Sequence, residues 1–134
     1  MRHRVVSLVV LASLCLMFYS VHAGQAGQSK EQVARGKKLY LSYCASCHGV
    51  DASGNGPVVS SLKRQPPDLR RIHAKAGKFP AEEVRKKIAG DPSSPAHGQR
   101  DMPVWGMILS HADINNLVKY LESIQKPFEA QPAD

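Results

Sequence analysis

The stretch Cys44-Ala45-Ser46-Cys47-His48 constrains this chain more than any other. A C-x-x-C-H run reads as a covalent haem attachment site. The two thiols add across the vinyl groups and become thioethers, and the histidine that follows directly lies under the iron, where a ring nitrogen can bind it. A chain carrying this run has to fold around a large, flat, mostly apolar body.

The chain has 134 residues, enough for one domain. Arg2 and Arg4, the apolar run Val5–Val21 and the small residues of Val21-His22-Ala23 have the form of a secretory leader with a cleavage site. Residues 1–23 are therefore set apart as a signal peptide, with an uncleaved membrane anchor as the alternative, since the run lies at the lower limit for spanning a bilayer. Cys15 reads as part of the apolar region, because Leu14 is a poor neighbour for a lipidated cysteine. Export leaves Cys44 and Cys47 as the only cysteines. It also leaves 16 Lys+Arg against 11 Asp+Glu, a net charge of +5 before two haem propionates subtract from it. A domain of this size buries a small core, so the apoprotein is expected to fold poorly without its cofactor.

Residues 24–29 are polar and Gly-rich and read as a flexible start. Ser29 can cap a helix from Lys30 to about Ser46. Val33, Gly36, Leu39, Tyr40 and Tyr43 fall at three- and four-residue steps along it, forming one apolar face that delivers the cysteines from the last turn. Glycines and prolines make 49–70 a loop. Pro80, followed by Glu82 and Glu83, opens a second helix that Gly90 stops. A second loop covers 91–103. Ser110-His111-Ala112-Asp113 is a capping-box pattern opening a last helix. Its buried stripe is Ile114, Leu117, Val118, Leu121 and Ile124, and Lys126-Pro127 ends it. Residues 30–126 thus form the domain and 127–134 a polar tail. No strand of useful length and no repeat is visible.

Other readings of the cysteine pair are weaker. Structural zinc needs four ligands, usually from two such pairs, and the second pair is missing. A thioredoxin-like pair sits beside a βαβ pattern, which this chain lacks. The sixth iron ligand separates electron transfer from ligand binding. Met102, in a loop before Pro103, is the favoured candidate, and Met107 reads as core filler. His73, His97 and His111 are the fallback for bis-histidine ligation. A thioether ligand favours ferrous iron and raises the reduction potential.

Across about residues 30–125 the chain resembles the class I c-type cytochromes, specifically the small bacterial monohaem ones. The resemblance rests on Gly36-Lys37-Lys38-Leu39-Tyr40, on Cys44 to Gly49 with Gly54-Asn55-Gly56-Pro57, on Pro66-Pro67-Asp68-Leu69, and on Asp101 to Gly106 with Leu117 to Leu121. It implies an all-α fold, three to five helices wrapped around one covalently attached haem c. It implies that the first and last helices cross where Gly36 and Tyr40 meet Leu117 and Tyr120, with Gly36 permitting close approach. It also implies a proline carbonyl, with Pro57 the candidate, accepting the Nδ1–H of His48 and raising its basicity. Arg70, Arg71, Arg100 and Trp105 are candidate propionate contacts, with solvated arginines the plainer reading.

The expected function is therefore electron carriage in the periplasm through His48/Met102-ligated iron, not enzymatic catalysis. Lys37, Lys38, Lys63, Arg64, Lys75, Lys78, Lys86 and Lys87 give a basic surface suited to an acidic patch on an oxidase, reductase or dehydrogenase. A solvated face explains them equally well. Nucleic acid is not an expected partner of an exported haem protein, and a membrane enters only if the leader stays uncleaved. Two alternatives remain. One is a haem subunit of a periplasmic dehydrogenase, and the other is a gas-binding or peroxidatic haem with a labile Met102.

Overall fold

The computed structural model describes residues 29–72, 78–93 and 102–127. The expected signal peptide, the flexible start, the polar tail, His73, Lys75, His97 and Arg100 lie outside the described residues. Apart from Ser29–Glu31, the described residues belong to a single unit of residues 32–134.

Four helices and several single turns make up the fold, and no strand occurs among the described residues. Helix α1 (residues 29–43) ends at Cys44, and a separate short helix, α2 (Ala45–His48), carries the second cysteine and the histidine. The sequence suggests one helix running to about Ser46. Instead the chain breaks at Cys44, which serves as the N-cap of α2. Gly49 then takes φ 81°, a conformation that a Cβ would strain, and turns the chain away.

The expected loop over 49–70 is a loop tightened by 3-10 turns at Val59–Ser61 and Leu69–Arg71. Helix α3 spans Ala81–Ala89, with Pro80 as its N-cap rather than its first helical residue. Glu82 and Glu83 lie in its first turn and Lys86 and Lys87 in its last, each favourable to the helix dipole. Gly90 closes it in the left-handed region at φ 78°. A further 3-10 turn at Trp105–Met107 leads to helix α4, His111–Ser123. The capping box is formed as the sequence predicts: the Asp113 amide donates to Ser110 Oγ at 3.1 Å, and the Ser110 amide donates to the Asp113 carboxylate at 3.3 Å. The helix stops at Ser123, three residues before Lys126.

The core joins Tyr40 of α1, Val84 and Ile88 of α3, and Ile114, Leu117, Val118, Tyr120 and Leu121 of α4. Burying a large apolar side chain of this kind contributes roughly 1.5–3 kcal/mol. The crossing of α1 with α4 is the resemblance's prediction, shifted slightly. Gly36 lies against the backbone carbonyl of Asn116 and the Cβ of Tyr120, while Leu117 is buried beside them. A Cβ at position 36 would run into the Asn116 backbone. The Tyr40 and Tyr120 rings meet at 5.2 Å between centroids, tilted by 49°.

Candidate functional site

Cys44, the N-cap of α2, and Cys47, within it, stand three residues apart on one face, and both line the same cleft. The α2 turn is held by backbone bonds on both sides. The amides of Cys47 and His48 donate to the Cys44 carbonyl at 3.2 and 2.9 Å, and the Gly49 amide donates to Ala45 O at 2.9 Å. Behind it the following loop folds back as a clamp. The amides of Gly54, Gly56 and Val58 donate to the carbonyls of His48, Cys47 and Ser46 at 2.8, 3.1 and 3.2 Å. Gly56 rests so closely on the α2 backbone that a side chain there would collide with it. Tyr40 Oη adds a 2.6 Å bond to Gly49 O. His48 is 7% exposed.

The cleft has two lobes, of about 590 and 420 Å³, sizes typical of ligand and cofactor sites. Cys44, His48, Pro67 and Met102 line both. The outer lobe adds Cys47, Tyr43, Trp105, Pro103 and the stretch Ser61–Pro66. The inner lobe reaches into the core, where Tyr40, Val84, Ile88, Leu117 and Leu121 form its floor. Arg71, Glu83 and Lys87 are the charged groups on its lining besides Asp68, and Lys87 pairs with Glu83 at 3.5 Å.

Of the residues singled out in the sequence, Cys44, Cys47, His48, Met102 and Trp105 therefore meet in one place. Trp105 packs edge-on against Tyr43, with ring centroids 5.4 Å apart. Pro57 lines neither lobe. It is an exposed residue of the clamp, set between Gly56 and Val58, which both bond to α2. Met107 is not core: it is 90% exposed, beside Ile108 at 65%. The 3-10 turn aims the Trp105 side of the segment at the cleft and Met107 away from it. His111 is the exposed first residue of α4 and lines neither lobe. Arg70 is committed elsewhere. Its Nε and Nη2 reach the two oxygens of Asp68, each at 2.8 Å, and Nη1 reaches Asp51 at 3.2 Å. This fork, led by the hydrogen bonds from Arg70, holds the Asp68 carboxyl down at about 2. Arg71 does line the inner lobe.

The segment Pro66–Ile72, which holds two of the candidate propionate arginines, also forms a wall of the cleft. The Leu69 amide donates to Ala52 O at 2.8 Å, and Gly54 lies against the Pro66 carbonyl. Ala52 is buried at φ 63°, a left-handed conformation unusual for a residue with a side chain, and so presents its carbonyl to this wall. The paired prolines were the available signal, since two fixed φ angles make a stiff wall.

The donor set fits a haem. Imidazole and thioether are the ligand types that hold haem iron in electron-transfer proteins, and two thiols lie where vinyl groups would be captured. Among the described residues, no group of three or more His, Cys, Asp or Glu side chains is arranged to hold a bare metal ion. Burial, aided by the charge of neighbouring Cys47, pushes the free Cys44 thiol up to about 12.

Comparison with known proteins agrees. The cytochrome c family model matches residues 33–125. This chain belongs to the cytochrome c family. It is a class I c-type cytochrome with the all-α fold of that class, and membership implies a covalently bound haem c. A chain of the Kuenenia stuttgartiensis reducing HAO-like protein complex is similar in fold, with a TM-score of 0.53 and 24% sequence identity. The match covers 75% of the present chain and spans 47% of the other chain's length. No curated protein matches the sequence.

Proposed function

We propose that this cytochrome carries single electrons between protein partners through one haem seated in the two-lobed cleft. The observation that carries the reading is the convergence of Cys44, Cys47, His48 and Met102 on that cleft. Cys44 and Cys47 would hold the group as thioethers, and His48 and Met102 would bind its iron. The bound haem supplies the redox chemistry, its iron alternating between ferric and ferrous. The rest falls to the protein. The clamp behind α2 fixes where His48 stands, and Pro57, carried by that clamp, orients the imidazole through its carbonyl. The apolar floor keeps water away and favours the less charged ferrous state. Met102, on the lining of both lobes, would take the iron position that oxygen or peroxide would need. Trp105 and Arg71 are the candidates for holding the propionates.

Electron exchange takes place at the outer lobe, where Tyr43 and Trp105 reach the surface beside the exposed Met107 and Ile108. Lys63 and Arg64 on the same lining suit an acidic partner. We place this exchange in the periplasm, on the strength of the leader pattern in residues 1–23. No helix among the described residues is long and apolar enough to cross a membrane. The exposed apolar pair Met107 and Ile108, turned away from the cleft beside Trp105, also favours a second reading, a haem subunit held permanently by a larger oxidoreductase. Co-purification with a catalytic chain separates it from a free carrier.

Intact mass and peptide mapping test the proposal. The mature protein is expected to carry one haem's mass, retained after denaturation, on the peptide containing Cys44 and Cys47. A protein without that added mass, or with the haem on another peptide, contradicts it.

A further inference from the structure

The Gln125 side chain, just past the end of α4, makes three hydrogen bonds, one back to the last turn of α4 and two across to the Leu69–Ile72 segment. Its Oε1 accepts from the Ile72 amide at 3.0 Å, and its Nε2 donates to Leu69 O at 2.8 Å and to Leu121 O at 2.7 Å. One residue later, the Lys126 amide donates to Arg70 O at 2.8 Å. A single half-buried amide thus fastens both ends of the 3-10 turn Leu69–Arg71 to the last turn of α4. This turn is part of the cleft wall, since Asp68, Leu69, Arg71 and Ile72 line the inner lobe. At its other end the wall is fixed independently, through the Leu69 amide on Ala52 and Gly54 against Pro66.

We infer that Gln125 is a positioning residue for the redox centre, the latch that keeps the Asp68–Ile72 wall closed over the inner lobe. It touches none of the candidate ligands and acts only through the wall. Glutamine suits the task because its amide offers an acceptor and two donors in one plane, matching one amide and two carbonyls. Glu would keep the acceptor and lose both donors, and Met would keep the shape and lose all three bonds. The inference rests on the haem reading above. With the latch open, water reaches the inner lobe, the extra charge of ferric iron is better solvated, and the ferric state gains.

The test uses the full-length holoprotein and its Gln125→Met, Gln125→Glu and Ser110→Ala variants. Ser110→Ala removes the cap at the opposite end of α4 and controls for loss of helix stability alone. Two quantities are read: amide exchange at Ile72, and the ferric-to-ferrous ratio at a fixed solution potential. In Gln125→Met the Ile72 amide is expected to exchange on the order of tenfold faster. Its ferric-to-ferrous ratio is expected to rise about threefold, with the iron–sulfur absorption band of the oxidised protein retained. Gln125→Glu, whose carboxylate would face the carbonyls of Leu69 and Leu121, is expected to exchange the Ile72 amide at least as fast as Gln125→Met, and it carries the exchange readout alone if the Met variant does not accumulate. Ser110→Ala should move neither quantity. Unchanged values in both Gln125 variants, or an equal shift in Ser110→Ala, overturn the latch. Wild-type protein lacking haem or the iron–sulfur band overturns the haem reading, and the latch with it.

Discussion

The two sides of the cleft are built on different principles. The side that carries Cys44, Cys47 and His48 is a lattice of backbone bonds. Two amides of α2 close on Cys44, and three amides of the clamp return to Ser46, Cys47 and His48. Glycine at 56 lets the layers touch. The side that carries Met102 is a short segment between two helices. It is held by Gly106 against the Ala89 backbone and by the amides of Ile108 and Leu109 on Trp105 O, and it leaves Val104, Met107 and Ile108 in solvent. In the proposed function, Cys44, Cys47 and His48 would share two thioether bonds and one iron ligand within five residues, whereas half-buried Met102 would need only reach and shelter. Among the described residues, the backbone bonds around the cleft are densest on the histidine side.

This contrast can be broken most severely at Gly56. Gly56→Ala drives a methyl group into the carbonyl of Ser46 and the backbone of Cys47, and is expected to cost about 1–3 kcal/mol and to lower the yield of covalently attached haem. A melt indistinguishable from wild type would show that the clamp is not packed on α2. Gly36→Ala should be similarly costly, through Asn116, but should spare attachment, since it loosens the α1–α4 crossing and not the motif. Equal losses of attached haem in the two variants would erase the distinction.

A smaller effect sits at the wall between the two sides. The Asp68 carboxyl, held near 2 by Arg70, ionises more readily in the folded chain than in the unfolded one, where the usual value is about 3.9. Its contribution to stability is therefore complete above the unfolded value and is lost as pH falls from about 5 through 2. Urea midpoints measured against pH should decline over that window, and Asp68→Asn should flatten the decline. An identical acid limb in the variant would mean that the fork does not stabilise the fold. The smallest effect is expected at Met107. Met107→Ala removes a side chain that solvent already surrounds, and should change stability by less than about 0.5 kcal/mol, with the spectrum unaltered.

How much of this was legible in the sequence varied with the kind of physics involved. The attachment motif, the capping box of α4, the Gly90 stop and the Gly36 contact were all legible, because each depends on residues close in sequence or on the absence of a Cβ. The break at Cys44 was not. Apolar periodicity runs smoothly through Tyr43, and only the return of Gly54–Val58 onto α2 shows why the helix is interrupted. Met107 was misplaced because apolar character does not say which side of a 3-10 turn a residue occupies. Arg70 was one of several candidate propionate contacts, with solvation the plainer reading, and its fork to Asp68 is visible only in the fold. Gln125, a polar residue beyond the last apolar stripe, carries no signal along the chain. Its partners Leu69 and Ile72 are brought to it only by the fold.

The central claim is that these two unlike sides meet at one iron, with His48 on the densely bonded side and Met102 on the other. It is tested most directly by the absorption spectrum of the oxidised protein and its two methionine variants. The account predicts a band from iron–sulfur ligation in wild type and in Met107→Ala, and its loss in Met102→Ala. A band that survives in Met102→Ala would contradict it.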